Sequence, residues 1–383
     1  MDKVTMPGAA IGIIGGGQLG KMLAQSAQKM GYRIGIYDPN SSSCSFNVSH
    51  FKEVASFDDS KQVHEFVNQA DLITYEFENI NGRILKDLEA TGKLPQGSKL
   101  LLKSQDRLME KTWLQEIGTQ VVDFRAIRSW QDILAGLQDL SYPFILKTNR
   151  FGYDGKGQYK VQNEQELLLL KEEIEEALKD QDFIMEAFCP FEYEISVIIG
   201  RDQDGHVQIF PISQNIHQAG ILFSSLVGKD YSSTIQDQVQ DYCQKLAQEG
   251  HLIGVCGVEF FVTQDERVII NEIAPRPHNT GHYSIESCNV SQFDQHILAV
   301  TGRPLVDVKL LSPALMINIL GQHLQLLDQV IQRFPNAILH IYDKGQAKKH
   351  RKMGHFTIMD SDVNVLQSLL ESDPLLNTIK SMY

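Results

Sequence analysis

Two glutamates in the stretch "GVEFFVTQDERVIINEIAPRPHNTGH" are placed to do chemistry. The stretch reads as two strands joined by a turn at Asp265 and Glu266. A turn centred between those residues sets Glu259 directly opposite Glu272, with Cβ atoms roughly 5 Å apart. Like charges so placed repel, and Val258, Phe260, Ile270 and Ile273 give them apolar neighbours. A cation between them removes the conflict, and carboxylates that leave room for water and phosphate suit Mg2+. The plain alternative is a pair of solvated acids on an exposed hairpin face. Arg276, His278 and Asn279 follow closely, on a segment stiffened by Pro275 and Pro277. Donors beside a metal serve a developing anion. Zinc on His278 and His282 lacks a third and fourth ligand at the usual spacing.

Three other stretches could meet anions. In "NRFGYDGKGQ", Gly152, Gly155 and Gly157 lie between two strand-like runs, with Lys156 among them. Small residues let backbone N–H groups close on phosphate oxygens, although a hairpin loop has the same composition. No G-x-x-x-x-G-K-[ST] occurs, which excludes a P-loop. In "YDKGQAKKHRKMGH", five Lys or Arg fall between 344 and 352. That run is either a solvated charge cluster or a pocket for one phosphate. Few aromatics interleave, which argues against nucleic acid. Near the start, Gly15, Gly17 and Gly20 give G-x-G-x-x-G, and Asp38 closes the next apolar run. Taken alone this is a dinucleotide-binding fingerprint.

The elements that must position these residues alternate in type. Ile11–Ile14 reads as a strand, Leu19–Met30 as a helix, Arg33–Tyr37 as a strand and "LITYE" as another. Ser60 is expected to cap a helix reaching Gln69. This βαβ order implies a parallel sheet with helical crossovers. Ser104 is expected to start a helix that Gly118 ends, and "PFILKTN" is a buried strand with Lys147 at its exit. Asn163 and Glu166 resemble an amide capping box opening a helix to about Lys179. Strand runs fill 183–217, a helix covers Ile235–Glu249, and Pro304 and Pro313 flank a boundary.

Composition sets the class. The chain of 383 residues is 42% hydrophobic and 22% charged, which fits a globular protein of two or three domains. Its net charge of −13 disfavours general affinity for nucleic acid or an anionic membrane. There is no run of 18 apolar residues, and the glycine-rich start is too short for a signal peptide. Five cysteines without a C-x-x-C pair fit a reducing, cytoplasmic setting.

Together the pieces resemble the ATP-grasp superfamily, and more narrowly the 5-(carboxyamino)imidazole ribonucleotide synthases. The order "GGGQLGKM", "YEFENI", "FGYDGKGQ", "NIHQAGIL", "NEIAPRPHNTGH", "DKGQAKKHRKMGH" is similar to that family's, from residue 11 to about 360. The resemblance implies an α/β (α+β overall) ATP-grasp fold. A Rossmann-like domain over 1–103 precedes a two-lobed ATP-grasp domain over 104–306 and a small C-terminal domain over 307–383. It implies ATP and Mg2+ as cofactors, and aminoimidazole ribonucleotide and bicarbonate as substrates. It also implies a homodimer in the cytoplasm, with no nucleic-acid or membrane partner.

The resemblance also assigns residues. Lys147 and the loop Gly152, Tyr153, Asp154, Gly155, Lys156, Gly157 and Gln158 hold the ATP phosphates, and Arg107 touches nucleotide. Glu186, Ala187, Phe188 and Cys189 line the adenine pocket, Glu194 binds ribose, and His217 lies nearby. Glu259 and Glu272 ligate Mg2+ beside Asn271. Gln18, Leu19, Glu76, Tyr153, Asp154, Lys344, Arg351 and Lys352 shape the ribotide site, and Arg276, His278 and Asn279 meet bicarbonate or carboxyphosphate. Asp38 is then a strand-end residue with no ribose to hold. Three departures from the family pattern stand out: Lys21 in place of a frequent Arg, Thr280 of Ser, and His350 of Gly.

Rival readings remain. One is another ATP-grasp ligase, such as the formate-dependent glycinamide ribotide transformylase. The others are an NAD-dependent oxidoreductase and a nucleotide-binding regulator without catalysis.

Overall fold

The computed structural model describes residues 4–152 and 157–383. Four short parallel strands open the chain: β1 (Ala10–Ile14), β2 (Arg33–Tyr37), β3 (Phe51–Glu53) and β4 (Leu72–Tyr75). Their order is β3-β2-β1-β4. Apolar side chains on both faces, Ile11, Ile13, Ile34 and Ile36 on one and Ile14, Tyr37, Ile73 and Tyr75 on the other, bury the sheet between helices. The helix Gln18–Lys29 starts at the glycine turn. Gly15 has φ +107°, and a Cβ on Gly20 would stand 2.5 Å from the Gly15 carbonyl. These glycines therefore serve the turn and the close helix–strand approach.

Two antiparallel sheets follow. The smaller contains β5 (Phe124–Ile127), β6 (Phe144–Thr148), β7 (Gln158–Val161) and β8 (Phe183–Ala187), in the order β5-β8-β6-β7. The larger has nine strands. They are β9 (Phe191–Arg201), β10 (Val207–Ile209), β11 (Ser213–Gln218), β12 (Ile221–Val227), β13 (Gly254–Thr263) and β14 (Val268–Ala274). After these come β15 (Ala314–Leu320), β16 (Ile338–Ile341) and β17 (Lys352–Met359). The order is β14-β13-β9-β11-β12-β15-β17-β16, with β10 on β9. Because β15 pairs with β12, the sheet runs on through the prolines that broke the sequence pattern.

Helix Ser233–Glu249 packs Val239, Cys243 and Leu246 on Val258, Phe260 and Ile270 of the large sheet. Alternation along β13 and β14 turns Glu259, Phe261 and Glu272 to the other face. Helix Gln292–Val300 joins this sheet to the first unit, with Phe293 and Ile297 packed among Ile11, Leu23 and Ile34.

Several local expectations change. Asp59, not Ser60, caps Ser60–Asn68, because its carboxylate accepts from the N–H of Gln62. Ser104 ends the helix Lys99–Ser104, and Asp106 caps Arg107–Glu116. The helix expected over 163–179 is two, Glu164–Leu169 and Lys171–Ala177, hinged at Leu170. Asn163 does cap the first, but Glu166 accepts from Gln162 N rather than from the cap residue.

The start of Arg107–Glu116 is tied to the end of β6. Asn149 accepts from Arg107 N through its carbonyl (2.9 Å) and from Leu108 N through Oδ1 (2.9 Å), while its Nδ2 donates to Asp106 (2.8 Å). Asn149→Ala should leave the Leu108 N–H without a partner and cost about 1–2 kcal/mol. A lower urea midpoint at unchanged slope is the expected result, and an unmoved midpoint would contradict it.

Candidate active site

Glu259 and Glu272 face each other across β13 and β14, as the hairpin pattern requires. The route to that register differs from the expected one. Thr263 and Arg267 close a loop of Gln264, Asp265 and Glu266, so the turn is offset by one residue. Asn271 is then the extra residue of a bulge opposite Glu259 and Phe260, which restores the pairing. The bulge frees the Asn271 carbonyl to accept from Lys111 Nζ at 2.8 Å. It also leaves the Asn271 Oδ1 buried with no partner.

The two acids differ in surroundings. Arg107 Nη1 lies 3.4 Å from Glu272 Oε2. Burial opposes ionisation of Glu272, but Arg107 first, then Lys147 and Lys111, draw its pKa below the usual carboxylate value. Glu259 has no such arginine. Burial, with Glu272 and Glu194 nearby, pushes it up to about 7 against the pull of His217. Two carboxylates and an orphaned amide oxygen form an oxygen-only donor set, the kind Mg2+ takes. The residues present therefore fit that ion.

Cations gather on one side of the pair. Glu186, on β8, sits between Lys147 Nζ (2.7 Å) and Lys111 Nζ (3.6 Å). Burial favours its neutral form, but Lys111 and Lys147 outweigh it and lower its pKa to about 2. The carboxylate thus holds lysines, while Ala187, Phe188 and Cys189 after it line a cavity of about 380 Å³ with Val122 and Ile269. Lys160 stands over the Phe188 ring. Glu194 and His217, on β9 and β11, form an ion pair at 2.6 Å. Burial works against protonation of His217, but Glu194 and Glu259 raise its pKa to about 9. Donor atoms of Glu194, His217 and Glu259 lie within 4.8 Å of one another. Gly152, Gly157 and Gln158 are the described residues of the expected phosphate loop, and Gln158 opens β7 opposite Lys147. Gly157 has φ +71°. Tyr153, Asp154, Gly155 and Lys156 lie outside the described residues.

The segment after β14 reaches the other side. His278 Nε2 is 3.8 Å from Glu259 Oε1. Burial, then Arg276, Lys352 and His217, hold His278 neutral. Arg276 Nη2 donates to Glu78 Oε2 at 2.9 Å, and Asn279 Oδ1 accepts from Gln18 Nε2 at 3.3 Å. Glu76 accepts from Gly17 N at 2.7 Å, and Asp38 accepts from Gly16 N at 2.8 Å. The loop's N–H groups are thus engaged by the protein's own carboxylates, and Asp38 is a loop anchor rather than an idle strand end. Leu19 lies in the core of the first unit, so its backbone alone can face a ligand.

The basic C-terminal run folds back to this place. Arg351 Nη1 donates to the Lys344 carbonyl at 2.9 Å. Lys344 is mostly buried. That burial, with Arg351 and Lys352, lowers its pKa to about 8 against Cys44 and Glu76. Lys352, at the start of β17, is near enough to weigh on the charge of Glu259 and His217. His350 takes φ +63°, and its N–H donates to Gln322 Oε1. Lys21 donates to the Tyr342 carbonyl at 3.0 Å, a single bond that an ammonium makes as well as an arginine.

Sequence reasoning missed Lys111, Glu110 and Glu78. The first two share a helix face with Arg107 at spacings of three and four, a signal legible once the helix start is right. Burial holds Glu110 protonated, with a pKa of about 8.

A parallel-stranded first unit, a small antiparallel sheet and a carboxylate pair on late strands define an ATP-grasp enzyme. The ATP-grasp domain model matches residues 112–293, the ribonucleotide synthetase preATP-grasp domain 8–103, and the phosphoribosylaminoimidazole carboxylase C-terminal domain 314–368. The N5-carboxyaminoimidazole ribonucleotide synthase of Staphylococcus aureus (strain COL) is 44% identical over 358 residues, 93% of this chain and 94% of that one. The Staphylococcus aureus N5-carboxyaminoimidazole synthetase complexed with ADP superposes with TM-score 0.92 at 42% identity, covering 96% of this chain and 98% of that one. The Aspergillus clavatus N5-carboxyaminoimidazole synthase, in complex with ADP and 5-aminoimidazole ribonucleotide, gives TM-score 0.88 at 27% identity, covering 98% and 99%. The chain belongs to the N5-carboxyaminoimidazole ribonucleotide synthase family.

Glu186→Gln should leave buried Lys111 and partly buried Lys147 without their shared carboxylate and cost about 3 kcal/mol at pH 7. Because the folded pKa is depressed, the contribution is complete above the unfolded value, near 4.3, and fades as pH falls toward 2. The gap to wild type in urea unfolding should be constant from pH 7 to 5 and narrow below 4. A gap that widens on acidification would contradict the pairing.

Proposed function

We propose that this protein uses ATP and bicarbonate to carboxylate the exocyclic amine of 5-aminoimidazole ribonucleotide, releasing ADP and phosphate. The observation that carries the reading is the place of the Glu259–Glu272 pair. It stands between the cations Arg107, Lys111 and Lys147 on one side and the Arg276–Asn279 segment with Lys352 on the other. A triphosphate suits the first side and a small acid the second.

In this reading Lys147, Arg107 and the glycine loop hold the phosphates. Ala187–Cys189 border adenine, Glu194 and His217 meet ribose, and Glu259, Glu272 and Asn271 hold Mg2+. The ion would offset phosphate charge during transfer. Bicarbonate oxygen attacks the γ-phosphorus, ADP leaves, and carboxyphosphate forms. The ribotide amine takes the carboxyl, as such or as released CO₂, and the bond to phosphate breaks. Arg276 holds the acid, and neutral His278 accepts the proton the amine loses. Gln18, Glu76, Lys344, Arg351, Lys352 and the Leu19 backbone hold the ribotide.

The proposal keeps the division at 103/104 and 306/307. The parallel sheet, which ends at Tyr75, supports the first of these. In this reading the protein is a homodimer, as the resemblance to the family implies. A cytoplasmic setting is supported by five free, buried cysteines. Among the described residues no helix is long and apolar enough to cross a membrane.

Phosphate release from ATP should require both bicarbonate and the ribotide, and formate should not replace bicarbonate. Turnover with formate and glycinamide ribotide instead would overturn the reading. Arg351→Ala should weaken ribotide binding by about 1.5–3 kcal/mol, roughly 10- to 150-fold in KM, with ATP KM unchanged. An unchanged ribotide KM would contradict the assignment of the basic run.

A further inference from the structure

A buried histidine that no step above uses lies behind Asn279. His282 is fully buried, with Nε2 3.1 Å from Asn279 Oδ1 and Nδ1 3.4 Å from Gln292 Nε2. The neighbours decide which nitrogen carries the proton. Gln292 Oε1 accepts from the His278 N–H at 2.8 Å, and Gln292 Nε2 donates to the His278 carbonyl at 2.7 Å. Its amide is therefore fixed, with the nitrogen toward His282 Nδ1. That ring nitrogen accepts, so Nε2 bears the hydrogen and donates to Asn279 Oδ1. Gln18 Nε2 approaches the same oxygen at 3.3 Å. Two donors on Oδ1 fix the Asn279 amide with its NH₂ turned the other way.

The ring itself is clamped. His355 stacks on it at 4.6 Å between centroids, and Phe293 packs at 5.8 Å. His340 stacks on the far side of His355, also at 4.6 Å, and binds Glu286 at 2.6 Å. The Tyr342 hydroxyl lies 2.7 Å from His355 Nδ1, and the Tyr342 carbonyl accepts from Lys21. The stack thus joins the Asn279 segment to the strand leading into Lys344.

We propose that His282 is a positioning residue: its Nε2–H, held by Gln292 and the His355 stack, orients Asn279 so that the amide NH₂ donates to the bicarbonate-derived acid. This rests on the proposed function and on Asn279 meeting bicarbonate or carboxyphosphate, as the resemblance to the family implies. A positioning role acts on the step that uses Asn279, so it differs from simple support of the fold. Bicarbonate use should suffer while ATP binding does not. Carboxyphosphate held less well should also be lost to water, so that more phosphate is released than ribotide carboxylated.

The test compares the full-length wild type with His282→Phe and His282→Gln. It reads kinetics for each substrate, the ratio of phosphate to carboxylated ribotide, and the thermal midpoint. His282→Phe keeps an aromatic ring and loses the donor. It should lower kcat/KM for bicarbonate about tenfold or more, keep ATP KM within about twofold, and raise the phosphate ratio above one. His282→Gln places an amide N–H near the position of Nε2–H and should recover most of the loss. A smaller loss in His282→Phe overturns the proposal, as does a folded His282→Gln no better than His282→Phe. If His282→Phe does not fold, His282→Gln decides alone: activity near wild type supports the proposal, and a folded, impaired variant overturns it. A wild type inert toward bicarbonate and ribotide would instead overturn the proposed function, before any variant is compared.

Discussion

Two carboxylates stand opposite one another on neighbouring strands, and the rest of the site is arranged around that conflict. At about 5 Å and an effective dielectric near 20, two full charges repel by about 3 kcal/mol. Arg107 relieves one of them, at 3.4 Å from Glu272. The other, Glu259, holds its proton up to about pH 7, through burial first and then the nearby Glu272 and Glu194. A protein built for stability alone would place an apolar pair there, as it does at the neighbouring Val258 and Ile273. In the proposed reading, the conflict is one half of a binding site whose other half is a cation carrying phosphate.

Everything else delivers groups to that pair from a distance. The helix Arg107–Glu116 brings Arg107 and Lys111 from one side, and its first turn is bonded to Asn149 at the end of β6. The segment after β14 brings Arg276, His278 and Asn279 from the other. The first unit is locked to that segment by buried polar groups. Gln96 Nε2 donates to the Pro275 carbonyl, its Oε1 accepts from Thr74, and Thr74 also meets His296 Nε2. Such networks are costly when half satisfied, so they specify one arrangement of the units. The last strands extend the same sheet and carry Lys352 to its edge of the site.

The sequence made the central pair legible because strand alternation is rigid. It did not reveal how the register arises, since the offset turn and the bulge at Asn271 cancel one another. Side chains that choose between neighbouring caps were not separable either. Ser60 follows Asp59, and Ser104 precedes Asp106, and only backbone geometry picks the acid in each case. The glycine fingerprint marked a turn that opens a helix. What fills it, Asp38 and Glu76, depends on contacts across the sheet that spacing does not encode. The same limit hid Lys111, which looks like a surface residue until Glu186 and the Asn271 carbonyl surround it. It also hid the pairing of β15 with β12 beyond the prolines at 304 and 313.

The most direct test of this account is the response of the folded protein to Mg2+ itself. Thermal unfolding with ADP at pH 8 should show wild type stabilised as Mg2+ is added, by about 2.7 kcal/mol at a hundred times its dissociation constant. Glu259→Gln should start at least as stable as wild type without the ion, because the repulsion is gone, and should gain little from it. A wild type indifferent to Mg2+, or a Glu259→Gln variant that gains as much as wild type, would contradict the claim that the paired acids exist to hold a cation.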